Sequence, residues 1–144
     1  MTCEGGSNVY VDSEEILTRI AEGAVSGGEQ LLQAPQDMVD DWRFSVNAKI
    51  KVVGKEAVLR GGESVEDLKN LLRGVDGNIV GPYLCGSSMS LADCSAFPFL
   101  WRIDDEFGPL TEKDGCGNIR RWLDKCSEDE AFKKTIQSSW WWWW

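Results

Sequence analysis

The 144-residue chain contains no histidine. This absence excludes an imidazole general base, a Ser–His nucleophile pair and a histidine-ligated metal. Basic residues are also few, because 15 lysines and arginines stand against 24 aspartates and glutamates and leave a net charge of −9. Since binding to nucleic-acid phosphates requires a basic surface, we expect no nucleic-acid partner.

The five cysteines are scattered, and no two of them have a CxxC spacing. The sequence therefore predicts neither a zinc knuckle nor a local redox pair, and we expect no metal site. The first residues do not resemble a signal peptide, and no apolar run approaches the roughly 20 residues of a membrane span. We expect a soluble chain without a transmembrane span, in the cytoplasm or in an organelle stroma or matrix.

Apolar residues recur at helical spacing along most of the chain. The longest such pattern runs from Pro35 to about Leu59, with Gly54 inside it. A helix beginning with a capping box at Ser64 and another beginning at Ser127 are also predicted. A short strand at 8–11 and a helix from Asp12 precede them. The pattern predicts an all-α bundle with a strand–helix piece at its front.

The segment after Ser90 is the most informative. Ser90 and Asp93 have the spacing of a capping box, and the residues from Leu91 to Ile103 are apolar nearly all round. A helix without a polar face is buried on every side, so we expect it at the centre of the bundle. Ser90 and Asp93 are interpreted as a structural N-cap, and Pro98 is expected to remove one backbone hydrogen bond and to bend the helix.

These residues resemble the glutathione transferase superfamily. Tyr83-Leu84-Cys85-Gly86 followed by Ser90-Leu91-Ala92-Asp93 is similar to its "FL-x-G, then S/T-hydrophobic-A-D" signature, and Trp122-Leu123 follows in the expected order. Asp12-Ser13 followed by Ile16 resembles the "E/D-S-x-x-I" motif that ends the family's thioredoxin-like domain. The position of Pro98 is more similar to the cysteine-type omega, lambda and dehydroascorbate-reductase branches. The resemblance implies a glutathione-transferase C-terminal-like helical bundle.

The resemblance also defines what the chain is expected to lack. The family's catalytic Tyr, Ser or Cys and its cis-proline precede the Asp-Ser motif, whereas only eleven residues precede Asp12. We therefore expect no catalytic residue and only a remnant of the thioredoxin-like domain. The expected division is a remnant at 1–25, a linker at 26–34, a helical domain at 35–137 and a Trp-rich tail at 138–144.

Each candidate site residue has a functional and a structural interpretation. By resemblance, Asp12 and Ser13 would hold the γ-glutamyl end of glutathione, but they also suit a simple helix N-cap. Trp42, Phe97 and Trp101 could line the apolar substrate cleft between the family's domains, or could be core residues.

The remaining candidate residues are cysteines and the tryptophans of the C-terminal tail. Cys94 and Cys126 lie on apolar faces and are predicted to be buried, whereas Cys116 lies between glycines and is predicted to be exposed. The tryptophans of the tail are a candidate docking element for a protein partner or a lipid interface, or else pack back on the domain: Trp140, Trp141, Trp142, Trp143 and Trp144.

Two functions of different classes follow. The first is a glutathione-dependent transferase or thiol reductase in its intact form, with no bound cofactor, glutathione as co-substrate, and no activity of this chain alone. The second is a non-catalytic assembly subunit that docks on a protein partner, or forms a homodimer, through the helical domain and the tail.

Overall fold

The computed structural model describes residues 12–24 and 26–137. Within these ranges the chain forms helices and no β-strand, which confirms the predicted all-α fold, and Tyr83 and Gly86 form an isolated bridge. The strand predicted at 8–11 lies outside the described residues. The α-helices are α1 Ser13–Arg19, α2 Gln36–Ser45, α3 Lys51–Arg60, α4 Glu63–Asp76, α5 Leu91–Phe107, α6 Gly117–Ser127 and α7 Glu130–Gln137.

The long helical pattern predicted from Pro35 to Leu59 is present as two α-helices in line. Helix α2 passes into a π-helical turn at Val46–Ile50, and that turn passes directly into α3 with right-handed helical backbone on both sides. The inserted turn shifts the register of the apolar stripe, and Val46 and Ile50 are both fully buried. The period of the sequence predicted the helix but not this turn.

Helix α5 forms the centre of the bundle. Eight of its 17 residues are buried, and it contacts α1, α2 and α6. Its Phe97 packs edge-on against Trp122 of α6, with ring centroids 6.1 Å apart, and in a tilted arrangement against Phe132 of α7 at 4.3 Å. This aromatic cluster joins the last three helices and covers one side of the apolar stretch of α5, whereas Asp105 and Glu106 near the end of the helix are exposed.

Two of the predicted helix starts are wrong. Helix α4 begins after Gly61 and Gly62, which have φ of 62° and 55°, so Ser64 lies inside the first turn and does not cap it. Ser127 ends α6, and the carboxylate of Asp129 accepts a hydrogen bond from the Ala131 N–H at 2.8 Å. In both places several polar residues stand together, and local spacing alone cannot select the one that caps.

The N–H groups in the first turn of α6 are hydrogen-bonded by a residue at the end of another helix. Asp76, at the end of α4, accepts hydrogen bonds from the backbone N–H of Asn118 at 3.3 Å and of Ile119 at 2.8 Å. One carboxylate therefore satisfies the first N–H groups of α6 from a different helix. In the described part of the chain, no helix is both long enough and apolar enough to cross a bilayer.

Gly54 is explained by a close contact between helices. It is buried in α3, and a Cβ atom at this position would lie 2.8 Å from Cζ and 3.0 Å from Cε1 of Phe99 in α5. Contact at this distance requires the aromatic ring to move. A glycine inside a helix costs about 1 kcal/mol of helix stability relative to alanine. At Gly54 this cost is offset because the missing side chain lets α3 pack closely against Phe99 of α5.

We expect Gly54→Ala to lower the free energy of unfolding, because the gain in helix propensity is smaller than the cost of displacing Phe99. Gly74→Ala is the matched control, since Gly74 lies in α4 with no heavy atom within 4 Å of a Cβ. That control should raise stability by about 0.5–1 kcal/mol. Urea unfolding of both variants measures the difference, and equal stabilisation of the two would contradict the packing of α3 on Phe99.

Candidate functional site

Asp93 holds together three separate segments of the bundle. Its Oδ2 accepts hydrogen bonds from the backbone N–H and the hydroxyl of Ser90, each at 2.8 Å. Its Oδ1 accepts from the Leu84 N–H at 2.9 Å and from the Trp122 indole N–H at 2.8 Å. The side chain is fully buried, and none of these donors carries a formal charge. The capping box between Ser90 and Asp93 is part of this larger arrangement.

This arrangement stabilises the fold and does not supply a reactive group. Every donor to Asp93 comes from the loop before α5, from the first turn of α5 or from α6. The carboxylate is enclosed, so no substrate reaches it in this conformation. Among the described residues, no buried side-chain nitrogen or oxygen lacks a hydrogen-bond partner. The geometry thus agrees with the structural interpretation of Ser90 and Asp93.

Asp93→Ala should therefore be strongly destabilising, by about 3 kcal/mol or more, because it leaves several buried donors unsatisfied at once. Asp12→Ala removes one exposed cap and should cost only about 1 kcal/mol. Denaturant unfolding followed by circular dichroism compares the two. Trp122→Phe removes a single donor to Asp93 and should lie between them, and a cost for Asp12→Ala equal to that of Asp93→Ala would be inconsistent with this role.

A second polar cluster attaches α1 to the bundle. Glu14 accepts a hydrogen bond from Arg43 Nε of α2 at 2.7 Å and from the hydroxyl of Ser95 in α5 at 2.6 Å. The same Arg43 donates to the backbone carbonyl of Glu14 at 2.9 Å and to the hydroxyl of Thr18 at 3.0 Å. Lys51 lies 4.0 Å from Glu14 on the third side. One carboxylate therefore connects α1 to both α2 and α5.

No local sequence pattern indicates this cluster. Glu14 lies 29 positions before Arg43 and 81 positions before Ser95, so no local spacing relates them. The position of Glu14 in the first turn of α1 indicates only an acidic residue at the positive end of a helix dipole. The tertiary structure brings the three side chains together.

The charge of Glu14 is set by opposing effects. Burial alone would raise the pKa of its carboxyl, but hydrogen bonds from Ser95, Arg43 and Asn47, together with the positive charge of Arg43, outweigh burial and lower the pKa below its usual value. Because the folded-state pKa is lower than the unfolded one, Glu14 contributes stability above about pH 4.5, and that contribution is lost as the pH falls through the folded value.

We expect Glu14→Gln to be less stable than the wild type near neutral pH and to approach it as the pH falls below about 4. The glutamine keeps the shape of the side chain but removes the charge that Arg43 and Ser95 stabilise. Urea midpoints of both proteins between neutral and acidic pH provide the measurement. Glu15→Gln, at an exposed neighbour, is the control. A stability difference that is constant with pH would argue against the ionised cluster.

The candidate glutathione contacts lie at the start of α1. Asp12 is the N-cap of this helix, and its Oδ1 accepts a hydrogen bond from the Glu14 N–H at 2.8 Å. Both Asp12 and Ser13 are exposed. The geometry is that of a helix N-cap, and the Ser13 hydroxyl is accessible at the helix terminus.

The three candidate cleft residues are separated in the fold. Trp42 forms part of the wall of an open pocket of about 310 Å³, between α2 and the end of α4. Phe97 is fully buried in the aromatic cluster, and Trp101 is half-buried on α5. The residues that line the pocket are Met38, Asp41, Trp42, Ser45, Val75 and Asn78. Of the three aromatic candidates, only Trp42 lines it.

The described thiols are unsuited to nucleophilic chemistry. Burial raises the pKa of Cys85 and of Cys94 to about 11, and burial with nearby carboxylates also raises the pKa of Cys126 and of Cys116. A thiol with such a pKa is protonated at neutral pH and is a poor nucleophile. These residues are free cysteines.

The structure corrects two predictions about cysteines. Cys116 was predicted to be exposed but is fully buried, because Thr111 and Asp114 form a capping box that folds the preceding loop back on itself. Arg73 also reaches this loop and donates to the Asp114 carbonyl at 2.7 Å. Cys94 was predicted to be buried and is half-buried instead, whereas Cys126 is buried as predicted.

Two candidate features remain, a metal centre and the Trp-rich tail. Within residues 12–24 and 26–137, no group of three or more cysteine, aspartate or glutamate side chains could hold a metal ion. The proposed docking residues Trp140–Trp144 lie outside the described residues.

Comparison with known families agrees with the fold. A family model described as the glutathione S-transferase, C-terminal domain matches residues 56–125. Residues 56–125, just under half of the chain, therefore resemble the C-terminal helical domain of the glutathione transferase superfamily. The matched range includes α4, α5 and most of α6, and therefore both Asp93 and its indole donor Trp122. The comparisons with curated proteins and with solved structures give no significant match.

The matched residues contain the central features of the fold. The signature with Ser90 and Asp93 at the start of the buried helix α5 lies within the matched range. Helix α2, with Trp42 and Arg43, and helix α1, with Glu14, lie before the matched range. The pocket and the Glu14 cluster therefore each join residues before the matched range to residues within it, namely Val75 and Asn78 for the pocket and Ser95 for the cluster.

Proposed function

We propose that this glutathione transferase-like chain acts in glutathione-dependent transfer or thiol reduction as the helical side that receives the apolar co-substrate, without a nucleophile of its own. The pocket beside Trp42 is the observation that carries this proposal. Its volume of about 310 Å³ lies at the lower end of the range for small-molecule sites.

The wall of the pocket combines apolar and polar groups. Trp42, Met38 and Val75 supply an aromatic ring, a thioether and a branched aliphatic side chain, while Ser45 and Asn78 supply hydrogen-bonding groups. A few polar groups set against apolar walls are typical of sites that orient a small organic ligand. The ligand class that fits is a small aromatic electrophile, or the glutathione conjugate formed from it.

Glutathione itself would bind at Asp12 and Ser13, on the basis of their resemblance to the family motif. The exposed Ser13 hydroxyl at the N-terminal end of α1 could donate to a carboxylate of the tripeptide. The Glu14 cluster supports this role because it holds α1 against α2, the helix that carries Trp42.

The test is the binding of a dinitrophenyl–glutathione conjugate, measured by isothermal titration calorimetry with the full chain. Ser45→Phe places a ring in the pocket and should weaken binding by about tenfold or more. Ser88→Phe makes the same change on an exposed loop and should leave binding unchanged. Absence of binding by the wild type, or equal binding by both variants, would remove the basis for this function.

The same samples test catalysis. With no histidine in the sequence and every described thiol held protonated at neutral pH, we expect no turnover of glutathione with an aromatic electrophile above the spontaneous rate. Turnover above that rate would show that the chain has a nucleophile or a thiol-polarising group that the proposal does not include.

A second candidate function is that of a non-catalytic assembly subunit. The large apolar side chains on the outer face of α2 and α3 favour it, because contiguous exposed apolar surface is typical of interaction sites. In that case the conjugate would not bind, and the fold would serve as a rigid support for an interface.

A further inference from the structure

One side of α2 gives the pocket beside Trp42 its charge. The α2 residues that line the pocket have the spacing i, i+3, i+4 and i+7, which places them along a single face of the helix: Met38, Asp41, Trp42 and Ser45. The opposite wall consists of Val75 at the end of α4 and Asn78 just after it. Among the described residues that line the pocket, only Asp41 is charged.

The carboxylate of Asp41 has no partner within the described part of the chain. The residue is exposed, and no hydrogen bond or ion pair among residues 12–24 and 26–137 includes it. The acids next to the lining residues differ, because Asp40 accepts a hydrogen bond from Gln36 at 2.8 Å and Asp76 accepts one from the Ile119 N–H at 2.8 Å. Asp41 is therefore the acid of this region that is available to a bound ligand.

The nearest positive side chains on the two walls bind other groups. Arg43, two residues after Asp41, pairs with Glu14 at 2.7 Å. Arg73, the base closest in sequence to the α4 wall, donates to the Asp114 carbonyl at 2.7 Å. Since both guanidinium groups are engaged elsewhere, neither neutralises the charge that Asp41 brings to the pocket.

We propose that Asp41 makes the pocket selective for aromatic co-substrates that carry a positively charged amine, and against those that carry a carboxylate. This inference rests on the proposed function, because it concerns the same pocket. The apolar part of the ligand contacts Met38, Trp42 and Val75, and its ammonium group pairs with Asp41 on the exposed side of the pocket. The indole of Trp42 adds to the preference, since an aromatic ring attracts a nearby cation.

Three glutathione conjugates of similar shape separate the effect of charge from that of size. They are S-benzyl conjugates with an aminomethyl, an ethyl or a carboxyl group at the para position, and the glutathione part is common to all three. Isothermal titration calorimetry with the full chain measures each affinity. The wild type should bind the cationic conjugate about threefold more tightly than the neutral one, and the anionic conjugate about threefold more weakly. Added salt should reduce both differences, because Asp41 is exposed.

Two matched variants assign the preference to a residue. Asp41→Asn keeps the shape of the side chain but removes its charge, and should abolish most of the difference between the cationic and anionic conjugates. Asp37→Asn makes the same change one turn earlier on α2, at an exposed acid that does not line the pocket, and should keep most of that difference. Circular dichroism midpoints verify that both variants are folded.

The possible results distinguish this inference from the proposed function. Equal binding of the three conjugates by the wild type, or a charge preference that Asp41→Asn retains, would overturn the role of Asp41 and leave the proposed function standing. A preference lost equally in Asp37→Asn would also overturn it, because the general charge of α2 would then be the cause. If the wild type binds none of the three conjugates, the proposed function fails, and this inference fails with it.

Discussion

The buried carboxylate of Asp93 is the interaction on which the rest of the bundle depends. A buried charge is stable only if hydrogen bonds replace the water that it loses. Here those hydrogen bonds come from the loop at Leu84, from Ser90 and from the indole of Trp122. The start of α5, the preceding loop and α6 must therefore all be in place for the carboxylate to be satisfied. This requirement makes the arrangement cooperative, because no single contact can form favourably without the others.

The Glu14 cluster also connects separate helices, but it lies at the edge of the bundle and one of its donors, Arg43, is charged. Arg43 binds the side chain and the backbone of Glu14 at once, so it determines the orientation of α1 as well as its position. Ser95 then connects α1 to the central helix. Whatever α1 contacts at its N-terminal end is therefore coupled to the part of α2 that lines the pocket. The proposed function requires such a connection, because it places glutathione at α1 and the apolar co-substrate at the pocket beside α2.

The electrostatic environment favours binding over thiol chemistry. Burial raises the pKa of each described thiol, and carboxylates such as Asp93 and Asp76 add to that effect. Even Cys116, at the N-terminus of α6 and near Arg73, has a raised pKa. The open pocket at Trp42 is accessible to a small ligand, and Phe44 of α2 and Val52 and Leu59 of α3 are exposed apolar side chains.

Much of the architecture could be predicted from the sequence alone. Helical periodicity and the Ser90–Asp93 spacing determine the all-α fold and the burial of α5, because both depend on residues close together in the chain. The tertiary structure alone decided which carboxylate holds α1, that Cys116 is covered, that Phe97 belongs to the core and that Gly54 faces Phe99. Each of these depends on segments far apart in sequence, and their approach is set by packing between helices, which no local pattern encodes.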